Sequence, residues 1–455
     1  MNSVASLAQR IARLAPIFHA HPDQISFLTS PTNYYEFLKE AIGSANHKIY
    51  MTALYLGTGE LEKNLVQVLS RRLDQKGDSI KTRIHLDYFR GSRGHPSSSA
   101  GLLLPVLAKH PLSLRVSMLR YSNNGRWHSL LPSRWNEIFG LSHMKVFVFD
   151  DTVLVTGANM STSYFTNRTD RYVCIRDHPK LAAYFMELIE TLGDISFSLQ
   201  DSREDTLQYA KPVVPVSKSS SHVKTFLEKH RGLRDQETGS TVIVPTLQMF
   251  PWAIDQDEKT MKELLVWADE HYPEAHAAFA TGYFSPSPAT REIFFNGDRN
   301  KKRYWRILIS SPEANGFYGA KGLSGHIPDL YRAIELEFLK LPKRTPLLLD
   351  ENGDEAIYEY QREGWTYHAK GIWLESPELM VTVVGSSNFG HRSYERDLET
   401  QLTIATEDSG LGDRIKADRD SLFTHSKLVS GKDILRFEAP SGRIKGAASL
   451  FRSFL

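Results

Sequence analysis

Apolar residues follow two periods along the chain: short runs of strand length, and longer stretches with an apolar residue every three or four positions. From Ile25, ISFLTS predicts a strand, SPTNYYEFLKEAIGSA a capped helix, and KIYMTALYLG a second strand. The helix TGELEKNLVQVLSRRLDQ, the strand KTRIHLDYF, the helix SAGLLLPVLAKH and the strand LSLRVSML continue the alternation. A second series runs from the strand STVIVPTLQM through the helix DEKTMKELLVWADEHY, the strand HAAFATGYFSP and the helix ATREIFFNG. It ends with the strand KRYWRILISS and the helix IPDLYRAIELEFLKL. Strands and helices taking turns predict an α/β fold, with mixed sheets flanked by helices. Between the series, KPVVPVSKSSSHVK has the Pro, Ser and Lys content of an exposed connection. The expected division is an amphipathic segment at 1–24, a first lobe at 25–210, a linker at 211–224 and a second lobe at 225–455 with a basic amphipathic tail.

One stretch recurs. GLSHMKVFVFDDTVLVTGANMSTSYFTNRTD, Gly140 to Asp170, has a distant copy in GWTYHAKGIWLESPELMVTVVGSSNFGHRSYERDLE, Gly364 to Glu399. In each copy a His-x-Lys pair enters an apolar strand, His143 with Lys145 and His368 with Lys370, and a carboxylate follows, Asp150 or Glu375. A second apolar run leads to Gly and Asn, ending at Asn159 or Asn388, and the same interval beyond each Asn reaches an acid, Asp170 or Glu399. Residues two apart on a strand share a face, so His and Lys project side by side. Joined strands set Asn opposite them. Imidazole, ammonium and amide together suit a phosphodiester: Lys and Asn hold the non-bridging oxygens, while His attacks phosphorus or carries a proton near neutral pH. Neither copy supplies both nucleophile and acid, whereas two facing copies do.

This duplicated pattern resembles the HKD motif of the phospholipase D superfamily, with Glu375 where Asp is usual and GAN one residue shorter than the usual GSxN. The resemblance implies two similar phospholipase D-like lobes with the active site at their pseudo-twofold interface. Further segments, LYLGTGELE, DYFRGSRG, SYFTNRTDRYV, SPEANGFYGAKG and GSSNFGHRSYERDLE, are similar to the phospholipase D-like phosphatidylglycerophosphate synthases of eukaryotes. That likeness implies transfer of a phosphatidyl group from CDP-diacylglycerol to glycerol 3-phosphate, with release of CMP. It places the reaction on the matrix side of the mitochondrial inner membrane, upstream of cardiolipin.

By analogy with the family, His143 is the expected nucleophile and His368 the acid/base. Lys145, Lys370, Asn159 and Asn388 are expected on the phosphoryl oxygens, Asp150 and Glu375 orient the motif, and Asp170 and Glu399 hold the imidazoles. The lysines supply the positive charge, so this scheme requires no metal or cofactor. A metal at the histidines is disfavoured by the cation beside each and by the lack of a Cys or carboxylate cluster in the sequence. The alternatives are a phosphatidylserine or cardiolipin synthase of the same superfamily, separated by acceptor, and a nucleic-acid phosphodiesterase.

Three loops are substrate candidates. Gly57 and Gly59 lie between a strand and a helix, where backbone amides can approach a phosphate. Arg90 and Arg93 stand on a loop after a strand, where ligands bind open α/β sheets. Asn315 and Lys321 belong to a Gly-rich polar segment after a second-lobe strand. At 455 residues and 41% hydrophobic, the chain can bury two substantial cores, and its net charge of +2 gives no nucleic-acid signature. The single cysteine, Cys174, reads as a small buried hydrophobe. No apolar run has the length of a spanning helix, so the expected membrane association is peripheral. Three stretches suit it or, equally, packing on the protein itself: Val4, Leu7, Ile11, Leu14 and Phe18 at helical spacing, which also read as a short helix capping the first lobe; the Trp- and Arg-containing stretch from Asn123 to Gly140, also a loop packed on the lobe; and the tail carrying Arg443, Lys445 and Arg452, also a docked terminal helix.

Overall fold

The computed structural model describes residues 3–121, 140–201, 206–233, 239–286, 290–291, 305–320, 325–339 and 357–429. Two large sheets carry the same topology. The central strands of the first run in the order Lys81–Asp87, Lys48–Ala53, Val146–Phe149, Thr152–Thr156 and Tyr172–Ile175. In the second the order is Trp305–Ser310, His276–Thr281, Gly371–Ser376, Leu379–Gly385 and Glu399–Thr406. In both, the first two strands of this order pair parallel and the rest antiparallel. The sequence copy is thus a structural copy.

Central strands such as Val146–Phe149 and Leu379–Gly385 are buried at every position, which explains their unbroken apolar runs. Helices cover them: Pro179–Asp194 lies on the first sheet and Ser409–Phe423 on the second. A single core joins the lobes, with Val153 and Val155 of the first packed in one cluster with Trp373, Met380 and Leu402 of the second. At about 1.5–3 kcal/mol per large apolar side chain removed from water, that cluster binds the lobes into one body. Arg171 crosses between them, bonded to the Val383 carbonyl at 2.8 Å, Thr382 at 2.9 Å and Asp418 at 2.7 Å, and lying over the Trp373 ring.

Two expectations for the ends of the first lobe change. The apolar face of the helix Ser3–Ile11, with Val4, Leu7 and Ile11 buried, rests against the helix Gln256–His271 of the second lobe. Arg10 pairs there with Glu263 at 2.8 Å, and Phe18–His19 adds a strand to the second sheet beside Thr241–Met249. This face is occupied by protein rather than left for a bilayer. The expected linker is ordered: Ser219–His230 is a helix, with Val223 and Phe226 buried against the first lobe, because its apolar residues recur at helical spacing behind the serines. The Trp- and Arg-containing stretch up to residue 139, Lys321 and the basic tail lie outside the described residues. No described helix is long and apolar enough to cross a membrane.

Candidate active site

The two His-x-Lys segments meet where the lobes exchange short strands. Arg168–Thr169 pairs in parallel with Thr366–Tyr367, and Ser142 forms a parallel bridge with Leu398. His368 donates its backbone N–H to the Thr169 carbonyl and His143 to the Leu398 carbonyl, each at 2.9 Å. The next residue along each partner strand is an acid, so each imidazole receives the carboxylate of the other lobe. His143 Nδ1 lies 3.0 Å from both Glu399 oxygens, and His368 Nδ1 lies 2.7 Å from Asp170 Oδ2. An ionised carboxylate only accepts, so each Nδ1 carries the proton; His143 Nε2 is left for chemistry, and His368 Nε2 faces Lys370 Nζ at 3.2 Å.

Lys145 and Lys370 are buried and donate to the backbone carbonyls of His143 and His368. Lys370 Nζ also approaches His368 Nδ1 at 2.7 Å, a nitrogen already committed as donor to Asp170, so this contact is a close approach and not a second bond. Burial brings Lys145 down to about 7 and Lys370 to about 8, against the neighbouring carboxylates that raise both. Burial also lowers His143, and it holds His368 well below the ordinary imidazole range with Lys370 and Arg168 adding to it. Asp170 is pushed up by burial to about 6. Glu399 is buried as well, but the adjoining His143 outweighs that and keeps it below the usual range. Neutral imidazoles beside cations are poised to attack or accept a proton.

Asn159 is buried and Asn388 half-buried, each with a buried Oδ1 that has no hydrogen-bond partner, and Asn159 Nδ2 is 3.3 Å from the Tyr164 hydroxyl. Unsatisfied buried amides mark a binding site better than a core. Gly157 precedes Asn159 because Asp170 and Lys370 pass directly over it, and a Cβ there would overlap both. No carboxylate cluster is visible along the chain, yet the fold assembles one: His143, Asp397 and Glu399 present their ligand atoms within 4.8 Å of one another. Asp397 is taken by Arg392 at 2.8 Å and by the Leu141 N–H at 2.8 Å, and Glu399 by His143 and by Ser393 at 2.9 Å.

Other candidates lie elsewhere or act differently. Asp150 accepts the N–H groups of Asn46, His47 and Lys48 at 2.7–2.8 Å, and Glu375 pairs with Lys416 at 3.0 Å and Arg419 at 2.5 Å. Five residues at about 3.3 Å each put both roughly 16 Å along the strand from their lysines, too far to orient the histidines. They anchor the far ends of the strands. Gly57 does not cradle phosphate: its N–H is bonded to the Met160 carbonyl at 2.8 Å, and the buried Glu62 carboxylate occupies the space over Gly57 and Gly59 while accepting from Thr162. An anion would be repelled there. The stretch with Arg90 and Arg93 is not an open loop but a short helix, Tyr88–Ser92, capped by Asp87, and Arg90 lies over the Tyr55 ring at 4.8 Å. Asn315 is buried and accepts from the Phe317 N–H at 3.0 Å, which shapes its own turn.

Sequence reasoning passed over the ring-bearing walls. Tyr164 and Tyr283 meet the His368 ring edge-on at 5.1 and 5.6 Å, and Arg168 lies 4.6 Å from the Tyr164 ring centre. Asp87 supports His143 from behind by accepting the Ser142 N–H at 3.1 Å, while His85 meets the Ser142 hydroxyl at 3.2 Å. Tyr164 and Arg168 sit inside the repeated segment, between Asn159 and Asp170, and that position was their signal.

Two topologically equal lobes, with a His-Lys-Asn half-site from each at the join, define a phospholipase D-like enzyme. No family model matches the chain. It is 36% identical, over 96% of its length and 84% of theirs, to the mitochondrial CDP-diacylglycerol–glycerol-3-phosphate 3-phosphatidyltransferase of Gallus gallus. The Homo sapiens protein of that name matches at 36% over 96% of the chain and 83% of its own, and the Saccharomyces pastorianus enzyme at 31% over 91% and 85%. The crystal structure of phosphatidylserine synthase from Haemophilus influenzae Rd KW20 superposes with a TM-score of 0.78 and covers 100% of both chains at 18% identity, a likeness of fold. The chain belongs to the family of CDP-diacylglycerol–glycerol-3-phosphate 3-phosphatidyltransferases.

Proposed function

We propose that this chain transfers the phosphatidyl group of CDP-diacylglycerol to glycerol 3-phosphate, giving phosphatidylglycerophosphate and CMP. The reading rests on one observation: two imidazoles, each held by the opposite lobe's carboxylate, in a chain 36% identical to phosphatidyltransferases over 96% of its length. In the first step His143 Nε2 bonds to the phosphorus bearing diacylglycerol, and the bond from that phosphorus to the CMP oxygen breaks. The departing CMP oxygen takes its proton from Nε2 of His368, which the negative charge of the bound diphosphate holds as imidazolium for this step, and His368 is left neutral. In the second step the neutral His368 takes the proton of the glycerol 3-phosphate hydroxyl. The hydroxyl oxygen attacks phosphorus, and the phosphorus–nitrogen bond to His143 breaks. Lys145, Lys370 and the two asparagine amides bear the charge on the non-bridging oxygens, while Asp170 and Glu399 fix the imidazole tautomers.

The expected setting is the matrix face of the mitochondrial inner membrane, reached peripherally, at the first step toward phosphatidylglycerol and cardiolipin. The names of the vertebrate relatives support the organelle, and a donor whose acyl chains stay in a bilayer supports the surface. The test is CMP release from CDP-diacylglycerol by purified protein in detergent, with glycerol 3-phosphate, serine, phosphatidylglycerol or water as acceptor. Release that depends on glycerol 3-phosphate and disappears in His143→Ala and His368→Ala supports the reading. Release with serine or phosphatidylglycerol instead reassigns the acceptor, and cleavage of nucleic acid without lipid turnover overturns it.

A further inference from the structure

The two halves of the site are copies in backbone but not in charge. Counting from Asn159 and Asn388, Arg168 falls on the position of Asp397, and Ser163 on the position of Arg392. In the second copy Arg392 and Asp397 neutralise each other at 2.8 Å. In the first, Arg168 makes no ion pair with any described carboxylate. Its Nε donates to the Thr366 hydroxyl at 2.9 Å, and its guanidinium lies 4.6 Å from the Tyr164 ring centre, beside Gly316. Tyr164 and Tyr283, its neighbours, are also the two rings that meet His368 edge-on. An Arg held flat by a ring and a hydroxyl, with nitrogens left over and no described carboxylate in ion-pair contact, has the geometry for forked recognition of a phosphate.

We propose that Arg168 binds the phosphate monoester of the acceptor, so that the acceptor enters on the His368 side of the site. This deepens the transfer reading above and rests on it. In-line displacement puts the leaving group and, after it, the acceptor on the face of phosphorus opposite the nucleophile. A phosphate anchored beside His368 therefore brings the acceptor hydroxyl to the imidazole that deprotonates it, and leaves His143 as the attacking residue. The near-symmetry of the backbone does not distinguish the two histidines, and this single exchanged charge does.

The test compares wild type with Arg168→Gln, Arg168→Lys and Ser163→Asp, the last supplying Arg168 with the acid that Asp397 represents in the other half. CMP release is measured against glycerol 3-phosphate concentration, and inorganic phosphate is titrated as a competitor. The expected result is a KM for glycerol 3-phosphate raised roughly 10- to 100-fold in Arg168→Gln, the loss of one charged hydrogen-bond pair. The increase is smaller in Arg168→Lys, also present in Ser163→Asp, and kcat changes much less than KM. Competition by phosphate weakens in step. A wild-type KM and unchanged phosphate competition in both Arg168→Gln and Ser163→Asp overturns the subsite while leaving the transfer reading intact. Should Arg168→Gln fail to fold, Ser163→Asp on its own decides the outcome. A wild-type enzyme indifferent to glycerol 3-phosphate overturns the transfer reading and the subsite with it.

Discussion

His143 and Glu399 are 256 positions apart and His368 and Asp170 are 198 apart, yet each pair shares a hydrogen bond of 3.0 Å or less. Both acids were legible in the sequence as the ends of a repeated interval. Their exchange between lobes was not, since alternation on a strand fixes which face a residue takes and says nothing of which strand of the other lobe lies beside it. Neutralising the acids tests their role at this scale. Asp170→Asn and Glu399→Gln keep the shape but leave the imidazole tautomer unfixed, and kcat for CMP release is expected to fall by about 10²- to 10⁴-fold with little change in KM. Steady-state kinetics with protein of wild-type circular dichroism decide it, and activity within a few-fold of wild type in both would remove the acids from the mechanism.

Among elements, long apolar strands and amphipathic helices were legible because burial imposes their period. Short elements at the lobe join were not. Tyr88–Ser92 reads as a loop from its Gly, Ser and Arg content and becomes helical because Asp87 caps it, and Ser3–Ile11 reads equally well as a membrane face or a core helix until its apolar partner is known. Arg171 belongs to this scale, since it ties the strand after Asp170 to two elements of the second lobe, the strand Leu379–Gly385 and the helix Ser409–Phe423. Arg171→Ala leaves Asp418 buried without its partner and is expected to cost about 3–5 kcal/mol in urea unfolding. Arg171→Met combined with Asp418→Leu is expected to recover most of that loss. Equal destabilisation in the single and double variants would contradict the pairing.

At the scale of the molecule, duplication makes one site from two lobes, and the buried groups behind that site make it sensitive to acid. Burial holds His85 at about 3, below its ordinary 6.5. As pH falls through 6.5 the unfolded chain takes up that proton first, so the contribution is intact above 6.5 and is lost progressively toward about 3. His85→Gln keeps a polar group near Ser142 without the titration. Between those limits its unfolding free energy is expected to fall less steeply with acid, by up to about 1.4 kcal/mol per pH unit. Parallel slopes for the two proteins in urea titrations from pH 7 to 4 would show that His85 does not govern acid stability.

The claim that the two lobes divide a covalent transfer between them is tested most directly by trapping. His368→Ala is mixed with CDP-diacylglycerol in the absence of acceptor, quenched under alkaline conditions, and digested for mass spectrometry beside wild type and His143→Ala. The prediction is a single slow turnover in His368→Ala, which releases CMP up to one equivalent and leaves the phosphatidyl group on the peptide containing His143, with neither CMP nor adduct in His143→Ala. An adduct confined to His368, or CMP released over many turnovers by His143→Ala, would contradict it.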